Sequence, residues 1–329
     1  MGVVLAGAAV SSPSGATPAA LAAPFRAALV LDKGGRDDKS FNAAAYEGML
    51  RAERELGIQF KYVEGADDAA IENTMRAFAQ KKFDLVVGVG FVQQEAVKKN
   101  AAAFPGVKFA LVDAEVGAPN VRSLLFQEHE GSFLMGAVAA HASKTGRVGF
   151  VGGMDVPLIR RFQRGYEAGA RHVSPSIKVI SNYVGVTGDA WNNPPKAKEL
   201  ALGQYQQGVD VIFAAAGASN NGVFDAAEDK RLFAIGVDSN QNWVKPGRIL
   251  TSMLKRVDLA VFQAVKDAQG GKFTPGVQRF GLKDGGVDYS LDQHNKAIFP
   301  PELKARVDRL KADIVRGKIV VPDYYKTKR

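Results

Sequence analysis

Short, almost unbroken apolar runs alternate along this chain with longer stretches whose apolar residues recur every three or four positions. The first pattern predicts buried strands and the second amphipathic helices. Residues 27–31 form a run without a polar break. Across 40–56, Ala44, Met49, Ala52 and Leu56 fall on one side of a helix. Strands follow at 60–63, 84–89, 108–112 and 121–126, with helices at 69–82 and 93–104. A second series repeats the scheme. Its helices are 131–143, 159–173, 193–207, 221–230 and 257–269, and its strands 148–151, 178–183, 211–214, 233–237 and 249–253. A last amphipathic helix spans 301–316. Near-continuous Val/Ile/Leu strands between helices indicate parallel sheets covered on both faces. Two such series predict an α/β protein of two doubly wound lobes.

Composition narrows the chemistry. The 329 residues include no cysteine and four scattered histidines, which excludes disulfides, thiolate catalysis and Cys-ligated metal, and argues against a His-rich metal site. Lys and Arg number 43 against 34 Asp and Glu, a net charge of +9. The basic residues are dispersed among acids, as on solvated helix faces, so the charge does not point to nucleic acid. Residues 1–23 carry no charge, include the apolar run 3–10 and end in Ala-Leu-Ala-Ala. They read as a secretory signal segment, with a soluble, exported chain beyond it. No later stretch approaches the length of a membrane span.

In doubly wound sheets, ligands sit beyond the carboxyl ends of the strands. Here those positions are 32–42, 88–91, Asp113, 152–155, 185–191, 216–220, 238–241 and 254–256. They are rich in Gly, Asp, Asn and aromatics and poor in nucleophiles. In 34–42, the glycines permit a tight turn, and Asp38 or Ser40 can cap the next helix. Phe41 offers a π face or a staple to the core, and Asn42 a donor and an acceptor. The glycine spacing fits neither phosphate-loop pattern, and Gly88-Val-Gly90 is too short for a dinucleotide fingerprint. Asp238 can accept two hydroxyls of a sugar diol or cap a turn. Lys255 can donate to ligand oxygens, pair with Asp238 or stay on the surface. Trp191, in a polar Pro-containing loop, is a lid on the core or a stacking plate. Phe41 and Trp191, one in each half, suit the two faces of a flat base.

These residues carry a resemblance. Gly34-Gly35 with Asp38-Lys39-Ser40-Phe41-Asn42 resembles the N-terminal signature of the basic membrane protein family of substrate-binding proteins, whose best-known branch is the PnrA-like purine nucleoside receptors of ABC importers. The similarity continues through Glu130-Gly-Ser-Phe-Leu134, Gly152-Gly-Met154, Gly165-Tyr-Glu-Ala-Gly169, Ile235-Gly-Val-Asp238 and Gly317-Lys-Ile-Val-Val-Pro322, over roughly residues 25–321. The resemblance implies a type I periplasmic-binding-protein fold with a three-strand hinge. Its lobes would be 24–127 plus 256–275 and 128–255 plus 276–329. It also implies a ligand site of Asp38, Phe41, Asn42, Gly90, Phe91, Asp113, Trp191, Gly217, Asp238 and Lys255. Phe41 and Trp191 would stack on the base, Asn42 would meet its edge, and Asp238 and Lys255 would hold the ribose. Gln127 or Glu128 stands as an alternative to Asp113 for the acidic base contact. Trp191 replaces the usual Phe, and the loop 186–195 is where ligand identity is most open, riboflavin or a sugar included. The resemblance further implies a periplasmic monomer that delivers its ligand to an inner-membrane permease, without cofactor, metal or catalytic residue. Two rivals differ in class. An enzyme such as a nucleoside hydrolase would need a carboxylate pair, for which Asp37 and Asp38 are the adjacent candidates. A ligand-responsive regulator would need a DNA-binding header, for which the uncharged N-terminal stretch is too short.

Overall fold

The computed structural model describes Gly2, residues 23–65 and residues 67–326, so most of the signal-like stretch 1–23 lies outside the described residues. Two six-stranded sheets carry the fold. The first contains β1 (Arg26–Leu31), β2 (Gln59–Glu64), β3 (Leu85–Val89), β4 (Lys108–Val112), β5 (Val121–Phe126) and β11 (Gly276–Phe280), in the order β11-β5-β4-β3-β1-β2. The second contains β6 (Arg147–Met154), β7 (Lys178–Gly185), β8 (Val211–Ala215), β9 (Phe233–Asp238), β10 (Ile249–Lys255) and β12 (Val287–Tyr289), in the order β12-β10-β9-β8-β6-β7. The two orders are the same pattern. Every strand pair is parallel except β10 with β12. This is the type I periplasmic-binding-protein architecture, two doubly wound lobes. The chain passes between the sheets after β5, after β10 and after β11.

Beta-11 and beta-12 do not announce themselves in the sequence. Gly276-Val-Gln-Arg-Phe280 has two apolar side chains, and it sits at a sheet edge, where half of each strand faces water. Its parallel pairing with Val121–Phe126 moves the last crossing beyond the expected boundary at residue 275. The chain crosses after Phe280.

Local signals explain how the helices are set. Helix α1 (Phe41–Leu56) ends where Gly57 turns left-handed, with φ of 66°. Helices α2 (Asp68–Gln80) and α3 (Gln94–Ala103) cover one face of the first sheet. Helix α4 (Glu128–Ala142) is apolar nearly all round because it is enclosed, as its run of buried residues from Gly131 to Ala139 shows. Against it lies α5 (Pro157–Val173), whose fixed-φ proline opens the first turn. Their backbones touch. A Cβ on Gly136 would stand 2.0 Å from the Tyr166 carbonyl oxygen, and one on Gly169 1.9 Å from that of Phe133. The glycines of Gly165-Tyr-Glu-Ala-Gly169 therefore serve helix packing. Gly169→Ala is expected to cost about 1–3 kcal/mol through overpacking. An unchanged urea midpoint would show that the two helices part without cost. The remaining helices are α6 (Pro194–Gln206), α7 (Asn220–Lys230), α8 (Val257–Gln269) and α9 (Pro301–Val315). Among the described residues no helix is long and apolar enough to cross a membrane.

Candidate ligand-binding site

In each sheet the strand order reverses beside the first strand of its series, between β1 and β3 and between β6 and β8. A crevice opens at such a point, outside the strand ends. The two crevices face one another around a shared cavity. All ten residues singled out from the sequence line it. Asp38, Phe41 and Asn42 come from the β1–α1 turn, Gly90 and Phe91 follow β3, and Asp113 follows β4. From the other lobe, Trp191 sits in a one-turn helix after β7, Gly217 follows β8, and Asp238 and Lys255 end β9 and β10. Asp32, which falls in the post-strand stretch 32–42, lines the cavity too, and sequence reasoning missed an apolar wall of Leu158, Ile159 and Phe162 on the first turns of α5. Their helical spacing reads as an ordinary core face, and only the opposing lobe makes it a cavity wall.

The wall side chains are not equivalent. Asp38 is committed to the backbone, accepting from the amides of Ser40 (2.8 Å), Asn42 (2.9 Å) and Ala43 (3.0 Å). Of the two cap candidates in the sequence, Asp38 is the one whose side chain caps α1. Asn42 ties the site to β1, accepting from the Asp32 amide (3.0 Å) and donating to Asp38 (3.2 Å). Burial pushes the Asp38 carboxyl up to about 6, against the pull of these donors.

Asp113 and Asp238 occupy matching places, beyond the fourth strand of each series, and both are left-handed, with φ of 73° and 65°. Aspartate tolerates that region better than most side chains. Burial raises Asp113 to about 7 and Asp238 to about 6, with Lys255 opposing both. Lys255 is 2% exposed. Its ammonium lies 2.7 Å from Asp113 and 3.2 Å from Glu128. Burial works against that charge, but Asp113, Glu128 and Asp238 outweigh it and hold the ammonium above its ordinary value. The ion partner considered from sequence was Asp238, whereas the structure gives Lys255 to Asp113 and Glu128. Three aromatic rings surround the ammonium, with the Phe41, Phe126 and Phe162 centroids at 5.0, 5.2 and 5.5 Å. Gln127 and Glu128, the alternatives to Asp113, lie outside the cavity, in a second hollow beside it.

Trp191 is fixed by its benzo edge. A Cβ on Gly153 would meet Cζ3 at 2.1 Å, so the glycine is what lets the indole lie against β6. The indole Nε1 is buried without a protein partner, and so is Oδ1 of Asp113. Both belong to residues that line the cavity, where a bound molecule can pair with them.

The lobes also touch each other at the cavity rim. The Ser40 hydroxyl donates to Asp238 Oδ2 at 2.6 Å, the Ser239 hydroxyl to the Ser40 carbonyl at 2.8 Å, and the Gln241 amide to the Lys39 carbonyl at 3.0 Å. The carboxylate pair an enzyme would need is split. Asp38 is buried in its cap, while Asp37 is exposed and paired with Arg36 at 2.9 Å. Among the described residues no His, Cys, Asp and Glu cluster is placed to hold a metal ion.

Residues 25–324 match the family described as ABC transporter substrate-binding protein PnrA-like. The ABC transporter nucleoside-binding protein BmpA of Lactococcus lactis is 34% identical over 342 aligned positions, covering 97% of this chain and 95% of the relative. A solute-binding protein of an ABC transporter system from Aeropyrum pernix superposes with a TM-score of 0.82 at 32% identity, covering 91% of this chain and 94% of that one. A sugar transporter from Clostridium phytofermentans, at 16% identity and a TM-score of 0.59 over 82% of this chain and 100% of that one, shares the fold alone.

Proposed function

Because the chain belongs to the PnrA-like family of ABC transporter substrate-binding proteins, we propose that the solute it binds for import is a purine nucleoside, held between the lobes by hinge closure. The observation that carries this reading is one cavity lined by an aromatic ring from each lobe, Phe41 and Trp191, together with Asp113, Asp238 and Lys255. Flat faces suit a base and exclude water from it. Carboxylates suit N–H and O–H donors, and an ammonium suits ring or hydroxyl oxygens. A ligand that spans both lobes favours the closed population, because each lobe alone supplies half the contacts. The closed form then delivers its ligand to a membrane permease. In this reading the protein works as a periplasmic monomer from which residues 1–23 have been removed, and it does no chemistry on its ligand.

The test is a thermal-shift screen after unfolding and refolding to strip carried-over ligand. Guanosine, inosine or adenosine should stabilise, and ribose or free base alone should not. A shift confined to riboflavin or a simple sugar would overturn the ligand and leave the family. Trp191→Ala is expected to weaken every purine nucleoside by about 1–3 kcal/mol, the scale of base stacking on an aromatic ring. Titration calorimetry with three different bases checks it. Loss confined to one base would make Trp191 a specificity contact and not a plate.

A further inference from the structure

Five buried charged side chains alternate in sign from the cavity wall to the C-terminal tail. Asp113 meets Lys255 at 2.7 Å, Lys255 meets Glu128 at 3.2 Å, Glu128 meets Arg161 at 2.6 Å, and Arg161 meets Asp323 at 2.8 Å. They come from five separate segments of the chain, two of them the first and second crossings between the lobes. The Glu128 carboxylate is divided, with Oε1 on Lys255 and Oε2 on Arg161.

Arg161 is spent in full. It donates to the Phe126 carbonyl, to Gln127 Oε1 at 3.0 Å, and to both oxygens of Asp323 at 2.8 and 3.0 Å. Asp323 follows the last helix in a stretch without regular structure, yet it is 8% exposed. The Tyr325 ring lies over the same guanidinium at 4.9 Å. This tail, Arg161 and Glu128 line a hollow that meets the ligand cavity at Phe91, Asp113 and Leu158.

We propose that Arg161 and Asp323 are positioning residues for the ligand site, acting through Glu128 on Lys255 and Asp113. The inference rests on the reading of Asp113 and Lys255 as ligand contacts. The physical reason is competition for one carboxylate. While Asp323 satisfies two donors of Arg161, Glu128 is left to share itself with Lys255. Without Asp323, a buried guanidinium lacks its bidentate partner and draws Glu128 toward itself. Lys255, already 2.7 Å from Asp113, then loses the carboxylate that shares its charge and is held by Asp113 alone, which leaves both groups less free to meet the solute.

The experiment uses the full chain and guanosine. Asp323→Asn, close in shape and uncharged, is expected to weaken guanosine about tenfold, and Asp323→Glu to bind within about twofold of the parent. In the Asp113→Asn background, Asp323→Asn should add less than about twofold, because its effect runs through Asp113. A tail that merely stabilised the fold would multiply the two losses. Unchanged affinity in Asp323→Asn, or multiplied losses in the double variant, overturns the proposal. If the parent binds no purine nucleoside, the ligand reading falls separately. The parent, Asp323→Asn, Asp113→Asn and the double variant, unfolded in urea without ligand, then decide: non-additive stabilities support the positioning chain, and additive ones overturn it.

Discussion

Lys255→Met is expected to destabilise the ligand-free protein by about 3–5 kcal/mol at pH 8, the cost of breaking a buried ion pair by removing one partner. The ammonium has Asp113 and Glu128 within 3.2 Å and is itself sealed from water. Methionine fills much of the same volume, so the loss reads out charge and not packing. The pH dependence follows from Asp113. Even beside Lys255 its carboxyl is pushed up to about 7 by burial, against 3.8 in the unfolded chain. Its folded value is raised, so between those limits the folded state holds more protons than the unfolded one. Its contribution to stability is present in acid and lost as pH rises through about 7. Without the ammonium the value climbs further. The deficit of the variant should therefore shrink as pH falls from 8 to 5.5, because the folded chain then protonates Asp113. Urea unfolding at the two pH values measures it. Equal deficits, or a loss below about 1 kcal/mol at pH 8, would mean that Lys255 is not the counter-ion of the site.

Asp238→Ala is expected to separate affinity from stability. Hydrogen bonds to a charged acceptor are worth about 1.5–3 kcal/mol each, so losing the carboxylate should weaken nucleoside binding at least tenfold. The same carboxylate is a burden to the ligand-free fold. Burial raises it to about 6, although the Ser40 hydroxyl and Lys255 oppose the rise. Above that value the folded chain carries an ionised, desolvated group, and stability is lost as pH rises through it. At pH 7.5 the alanine variant should therefore unfold at an equal or higher urea concentration than the parent. Calorimetry with guanosine and urea titration together check this. Intact affinity would remove Asp238 from the ligand. Lost affinity with lost stability would make it a structural residue whose main partner is Ser40 across the cleft. In the parent protein, a ligand that donates to the ionised Asp238 should release protons on binding near pH 6. Calorimetric enthalpies in buffers of different ionisation heat would show that release, and identical enthalpies would argue against it.

Phe41, Trp191, Asp113, Asp238 and Lys255 were legible as candidates because each stands at the end of a strand or in the segment that follows one. The apolar runs locate the ends of the predicted strands to within three residues, and in this class of fold the crevice lies outside the strand ends. Asp113 and Asp238 are both such residues, and so are Gly90 and Gly217. What each side chain does there was less legible. Asp38 reads both as a helix cap and as a ligand contact, and three backbone amides, those of Ser40, Asn42 and Ala43, commit it to the cap. Ser40 reads as a cap and instead clasps the opposite lobe. Leu158, Ile159 and Phe162 read as core, and they are buried, yet they also form a wall of the cavity between the lobes.

The sequence by itself determined the alternation of strand and helix, the two equivalent halves and the positions from which side chains line the cavity between the lobes. All of these follow from local periodicity and turn chemistry, which act over a few residues. Only the tertiary structure decided the pairings. Lys255 found Asp113 from 142 residues away and Ser40 found Asp238 from 198. A weak edge segment, Gly276–Phe280, joined the first sheet and not the second. Such choices depend on which surfaces the folded lobes bring within about 3 Å of each other. A buried charge takes the partner that geometry leaves it, and no local pattern along the chain encodes that distance.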